Sequence, residues 1–104
     1  MARFEKDRVV TLADLVTVKP GVVASLALTG DSTLFAVAEG ESISEELYEG
    51  DMIYYVLSGQ LAVVAGDERY ELNDGEAIRV SARKEHRIEA GTSLKMVQTF
   101  VKEK

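Results

Sequence analysis

An all-β fold is predicted for this chain of 104 residues. Three observations point to it. The apolar residues fall in short runs rich in Val, Ile, Leu and aromatics. Clusters of Gly, Asp, Asn and Ser separate those runs, as turns separate strands. No convincing helical period interrupts the pattern, and strands at such regular spacing build a sandwich or a barrel.

In chain order, strands are expected at residues 22–28, 33–38, 43–48, 52–57, 61–65, 69–72, 76–80, 86–90 and 94–101. The turn signals between them include Thr29-Gly30-Asp31-Ser32, Gly40-Glu41-Ser42, Ser58-Gly59, Gly66-Asp67, Asn73-Asp74-Gly75 and Gly91-Thr92. Residues 11–16, Thr-Leu-Ala-Asp-Leu-Val, read either as a short helical turn capped by Thr11 or as an edge strand, peripheral in both cases. So many strands in so short a chain leave exposed edges unless the sheet closes or pairs with a copy of itself. A homodimer is therefore expected, with the runs 9–12 and 96–101 as candidates for pairing across it.

The length fits one domain over residues 1–104, and 46% apolar residues supply a core without staples. There is no cysteine, which excludes thiol nucleophiles, thiolate metal sites and disulfides. Acidic residues outnumber basic ones 18 to 12, and a net charge of −6 argues against nucleic acid as a partner. The charged start, Met1 to Asp7, is unlike a signal peptide, and no apolar run is long enough for a bilayer. A soluble, cytoplasmic protein with no membrane partner is the expectation.

Glycine spacing adds a more specific signal. Gly40 is followed after five residues by Glu46, then by Tyr48, by Met52 after three more, and by Gly59 after six. A second series starts at Gly75 and carries Ser81, Arg83, His86 and Ala90. Gly40, Gly59 and Gly75 each fall where a tight turn needs positive φ. Together these series, spanning residues 20–101, resemble the two motifs of the cupin superfamily, with residues 1–19 as an N-terminal extension placed in a possible dimer interface. The resemblance implies a cupin-type double-stranded β-helix, a jelly-roll barrel of the RmlC-like kind.

It also implies where a site would lie. In the family, two His and one Glu of the first motif and one His of the second hold a divalent metal. Here those positions are Glu46, Tyr48, Met52 and His86, and His86 alone keeps the family residue. Met52 is a soft thioether, and Tyr48 ligates only as a phenolate. No metal cofactor is therefore expected; if one binds, Glu46 and His86 are its ligands. Ser81, Arg83 and Ala90 replace the second motif's Pro, Gly and Asn.

Period-two alternation puts Glu46 and Tyr48 on one strand face and Met52, Tyr54 and Val56 on one face of the next. With His86 they form a carboxylate, an imidazole and two phenols against an apolar wall, a set suited to a small-molecule ligand. A ligand-binding barrel with Glu46, Tyr48, Met52, Tyr54 and His86 as contacts ranks first. The alternatives are a metal-dependent dioxygenase or isomerase, and metal-free acid–base catalysis by His86 and Tyr48, as in cupins resembling the sugar-nucleotide epimerases. Each residue also has a plain structural reading. Glu46 belongs to an acidic run with Glu39, Glu41, Glu45, Glu49 and Asp51 that reads as a solvated face. Tyr48 and Tyr54 are good strand residues, Met52 fills core space, and a lone histidine is often only packed. The basic residues Arg79, Arg83, Lys84 and Arg87 either pair with the acidic loop, as Glu49 with Arg83 or Arg87, or face an anionic ligand.

Overall fold

The computed structural model describes residues 4–44 and 48–102. Among them run nine strands: β1 (Val23–Ala27), β2 (Ser32–Val37), β3 (Ser42–Ser44), β4 (Asp51–Ser58), β5 (Leu61–Ala65), β6 (Glu68–Leu72), β7 (Ala77–Val80), β8 (Arg87–Ala90) and β9 (Leu94–Val101). They form two antiparallel sheets, one ordered β1-β2-β9-β4-β7 and the other β3-β8-β5-β6. The all-β expectation is met. No helix among the described residues is long and apolar enough to cross a membrane.

The alternation that predicted the strands also builds the core. On β4, Met52, Tyr54 and Val56 are buried while Tyr55 between them is 42% exposed. They meet Leu61 and Val63 of β5, Ile88 of β8, and Leu94 and Met96 of β9 in one cluster between the sheets. Each such side chain, fully withdrawn from water, contributes about 1.5–3 kcal/mol.

The outer face of the five-stranded sheet is covered from the N-terminal side. Residues Leu12–Leu15 form a short 3-10 helix with no side-chain cap from Thr11. Beyond it, Val16 is 9% exposed and packs with Leu34 and Ala36 of β2, flanked by Leu15 and Val18. The Lys95 ammonium donates to the Ala13 carbonyl and ties the segment down. This segment, expected to be peripheral, supplies part of a second apolar layer.

Two expectations are corrected. The third strand, predicted to reach Tyr48, is described over Ser42–Ser44; residues 45–47 lie outside the described residues, and Tyr48 is not part of a strand but sits before β4. Glu46 is among the residues outside the description, so the face it was expected to share with Tyr48 is not described either. The terminal run at 96–101 was expected to pair across a dimer, but β9 is central, bonded to β2 on one side and β4 on the other. Its backbone edges are both used. The run at 9–12 forms no strand, since the 3-10 helix begins at Leu12.

The three motif glycines have positive φ as expected: 82° at Gly40, 102° at Gly59 and 81° at Gly75. So does Arg83, at 62°, where the family motif has glycine. A side chain in this conformation costs about 1–2 kcal/mol. The loop holds it there through the Arg83 amide, which donates to the Tyr48 carbonyl at 2.8 Å. The Arg83 guanidinium reaches Glu49 at 3.0 Å, with both side chains largely exposed, so that pair offsets little. Arg83→Gly is expected to raise stability by about 0.5 kcal/mol, the relief of strain exceeding glycine's extra chain entropy. A urea midpoint lower than that of the parent protein would contradict this.

Candidate functional site

The site is built around His86, in the loop between β7 and β8. Its imidazole is 4% exposed, and its two nitrogens are both engaged. Nδ1 lies 2.8 Å from the Lys84 carbonyl oxygen, which only accepts, so Nδ1 carries the proton and donates. Nε2 then accepts the hydrogen bond of the Tyr54 hydroxyl at 2.8 Å. Tyr54, at 0% exposure, meets the imidazole edge-on, with ring centroids 5.6 Å apart at 76°. The ring is thus locked in one tautomer and one orientation.

Tyr48 lies on another side of the histidine. Their ring centroids are 6.5 Å apart and tilted by 45°, and Tyr48 packs at 6.3 Å on Phe100. Met52 is 2% exposed and belongs to the apolar core. The structure thus brings Tyr48, Met52, Tyr54 and His86 of the expected set to one end of the barrel. The phenol bonded to Nε2 is Tyr54, on β4, and not Tyr48.

Three further residues border this end. Cross-strand register sets Gln98 of β9 opposite Tyr54 of β4 and opposite Thr33 of β2, so all three share the inner face. Phe35 stands opposite Met96, and Phe100 opposite Met52, on that same face. Deeper inner-face residues are sealed, but Thr33, Phe35, Tyr48, Gln98 and Phe100 are half-buried. This corner of the barrel is thus partly exposed, with aromatic rings packed on the core around an amide. None of Phe35, Gln98 and Phe100 was singled out from the sequence. For Gln98 a signal was present: it is the one polar residue at the inward parity of β9, after Leu94 and Met96 and before Phe100.

A concavity of about 220 Å³ lies between the outermost strands of the two sheets. Val63, Tyr70, Ile78 and Val80 wall it, and Lys84 stands at its rim. Lys84 is committed to Glu68 at 2.9 Å, and the Tyr70 hydroxyl donates to the same carboxylate at 2.7 Å. These bonds hold the Glu68 carboxyl below the usual carboxylate range, with Lys84 the larger cause.

Every basic residue of the loop region has an acidic partner. Arg79 meets Asp51 at 2.6 Å, Arg83 meets Glu49, Lys84 meets Glu68, and Arg87 meets Glu89 at 2.9 Å. Of the two pairs expected for Glu49, the Arg83 pair forms and the Arg87 pair does not. Asp51 also accepts from the Ala82 amide at 2.8 Å, which ties the start of β4 to the loop that carries His86. The Arg79 hydrogen bond first, and the Ala82 amide second, hold the Asp51 carboxyl below its ordinary value. A depressed carboxyl stabilises the fold above its unfolded-state pKa, and that contribution is lost as pH falls through the folded-state value. Stability is therefore expected to fall on the acid side of the carboxylate range, and Asp51→Asn should flatten that limb in melting curves taken against pH.

Among the described residues the donor set does not fit a conventional divalent metal. Among the described residues no three His, Asp or Glu side chains converge. The histidine nitrogen that would face a metal is bonded to a phenol, and the family's Glu position holds a buried thioether. Divalent Mn, Fe or Zn at such sites needs about three hard or borderline donors.

Comparison with known proteins agrees with the architecture. The family model for the cupin domain matches residues 33–101. A cupin superfamily protein from Desulfitobacterium hafniense is 31% identical over 96% of both chains, with a TM-score of 0.84. A conserved protein of unknown function from Streptococcus pyogenes superposes with a TM-score of 0.87 at 23% identity, covering 100% of this chain and 97% of that one. A cupin 2 conserved barrel domain protein from Leptotrichia buccalis gives a TM-score of 0.84 at 24% identity, over 94% of this chain and 49% of that one. No curated protein matches. The glycine-marked turns, the two antiparallel sheets and the matched span make this chain a member of the cupin family.

Proposed function

We propose that this cupin binds a small, largely apolar molecule at the partly exposed corner of its barrel without a metal ion. The observation that carries the reading is the Tyr54 hydroxyl on His86 Nε2, which puts a phenol where the family's histidine would face a metal. The half-buried rings of Phe35, Tyr48 and Phe100 support it, since they pack on the core yet keep part of their apolar surface exposed. Met52 and Tyr54 form the floor, and Tyr48 stands at the rim. Glu46 is assigned to the rim from its motif position alone.

Acid–base catalysis by His86 with Tyr48 is less well supported. Both imidazole nitrogens are engaged within the protein, so a substrate would have to displace Tyr54. A homodimer remains part of the proposal, with the edge strand β1 as its site; Val23 of that strand and Val22 just before it are each 39% exposed.

Elemental analysis of protein purified without a polyhistidine tag tests the reading. Mn, Fe, Ni and Zn are expected far below one atom per chain. One tightly held atom per chain, lost in His86→Ala, would overturn it. In the same preparation, small aromatic fragments should shift the backbone amide signals of Tyr48 and Phe100, and a fragment panel that shifts neither also counts against it.

A further inference from the structure

We infer that Gln98 is a ligand-contacting residue whose side-chain carbonyl accepts a hydrogen bond from the bound molecule. The inference rests on the binding reading above and gives it a chemical class: a compact, ring-sized apolar body bearing one hydroxyl or amino donor.

The observation behind it is an unmatched polar atom. Gln98 Oε1 is buried and has no hydrogen-bond partner among the described residues. A buried acceptor left unmatched loses its water without compensation, and native folds rarely tolerate that without a reason. The position makes the reason specific. Register places Gln98 in a row across four strands, Thr33–Gln98–Tyr54–Ile78, on the inner face. Its inward neighbours along β9, Met96 and Phe100, are apolar, and Leu would satisfy the alternation of that strand equally well. An amide at this parity weakens the core and serves nothing already described.

The surroundings define what the amide meets. Phe35 and Phe100 stand on the same face one inward position away along β2 and β9, and Tyr48 packs on Phe100. Tyr54 commits its hydroxyl hydrogen to His86, so that hydrogen does not serve Gln98. A molecule entering among the three rings is gripped by apolar contact, and a single O–H or N–H on it completes the amide. Selectivity follows, because an analogue without the donor leaves the acceptor as unmatched as before.

Phenol and anisole form the test pair: they share a ring, and anisole has no donor. Binding is measured by ligand-observed NMR on the full chain and on Gln98→Leu, with Gln98→Met as a second variant should the first fold poorly. The parent protein is expected to prefer phenol by about tenfold, the value of one hydrogen bond. Both variants should bind the two probes equally. Without ligand, the variants should melt about 4 °C higher, as expected when an unmatched buried acceptor is removed from a domain of this size.

Equal affinity of both probes for the parent protein, as when a water fills the acceptor, overturns the role of Gln98 and leaves the binding reading standing. A preference for anisole, or a lower melting temperature in both variants, overturns it as well. Binding of neither probe to the parent protein counts against the binding reading itself, and the inference falls with it.

Discussion

Gly59→Ala is expected to cost about 3–4 kcal/mol and to lower the melting temperature by more than about 15 °C. Two effects add at this position. Its φ of 102° is one that side chains rarely adopt, a strain of about 1–3 kcal/mol. A Cβ built there would also lie 2.2 Å from the Ser93 carbonyl oxygen and 3.0 Å from the Leu94 Cα, both backbone atoms. Backbone cannot swing aside as a side-chain tip does, so the β4–β5 hairpin must back away from the start of β9. That movement strains the pairing that sets Tyr54 opposite Gln98. Gly75→Ala is the matched control. Its φ is 81°, yet nothing lies within 4 Å of the added Cβ, so about 1 kcal/mol is expected. Urea titration of the two variants separates the contributions. Equal losses would show that the hairpin does not press on Ser93.

These glycines also mark how far the sequence reaches. Gly40, Gly59 and Gly75 were legible because a turn with positive φ leaves a residue-specific trace in the chain. Gly59's contact with Ser93 was not legible, because the residues that meet there are far apart in sequence and meet only after folding. The same division runs through the site. Met52, Tyr54 and Val56 were readable as one buried face from period-two alternation. His86 was readable from its place in the second motif. The bond between Tyr54 and His86 depends on how the β7–β8 loop descends onto β4, and no local pattern carries that. Tyr48 was given the acid's role from its place in the first motif, whereas the phenol that meets the imidazole comes from Tyr54, at the buried parity of β4. The central place of β9 escaped notice for a related reason: the last strand in sequence need not be an edge in space. Gln98 shows the reverse. Its polar side chain at an apolar parity was visible, but a single exception to alternation gains meaning only when its neighbours across the sheet are known.

Tyr54→Phe should destabilise the protein by about 1–3 kcal/mol. The substitution keeps the ring and removes the hydroxyl, leaving His86 Nε2 without its donor at a position 4% exposed. A buried acceptor deprived of its donor loses its desolvation compensation in full, which is why so small a change carries so large a cost. Tyr54 makes further contacts as well, so the single substitution does not isolate the histidine. A double-mutant cycle with His86→Leu does. If the hydroxyl acts through Nε2, removing it after His86→Leu should cost at least about 1 kcal/mol less than removing it from the parent protein. Nitrogen NMR of the imidazole provides a second readout. In the parent protein Nδ1 should appear protonated and Nε2 as a hydrogen-bonded acceptor, and Tyr54→Phe should move the Nε2 signal while leaving Nδ1 bonded to the Lys84 carbonyl. Additive losses in the cycle together with an unmoved Nε2 signal would mean that the phenol and the imidazole do not share a hydrogen, and that no phenol stands in the metal's place.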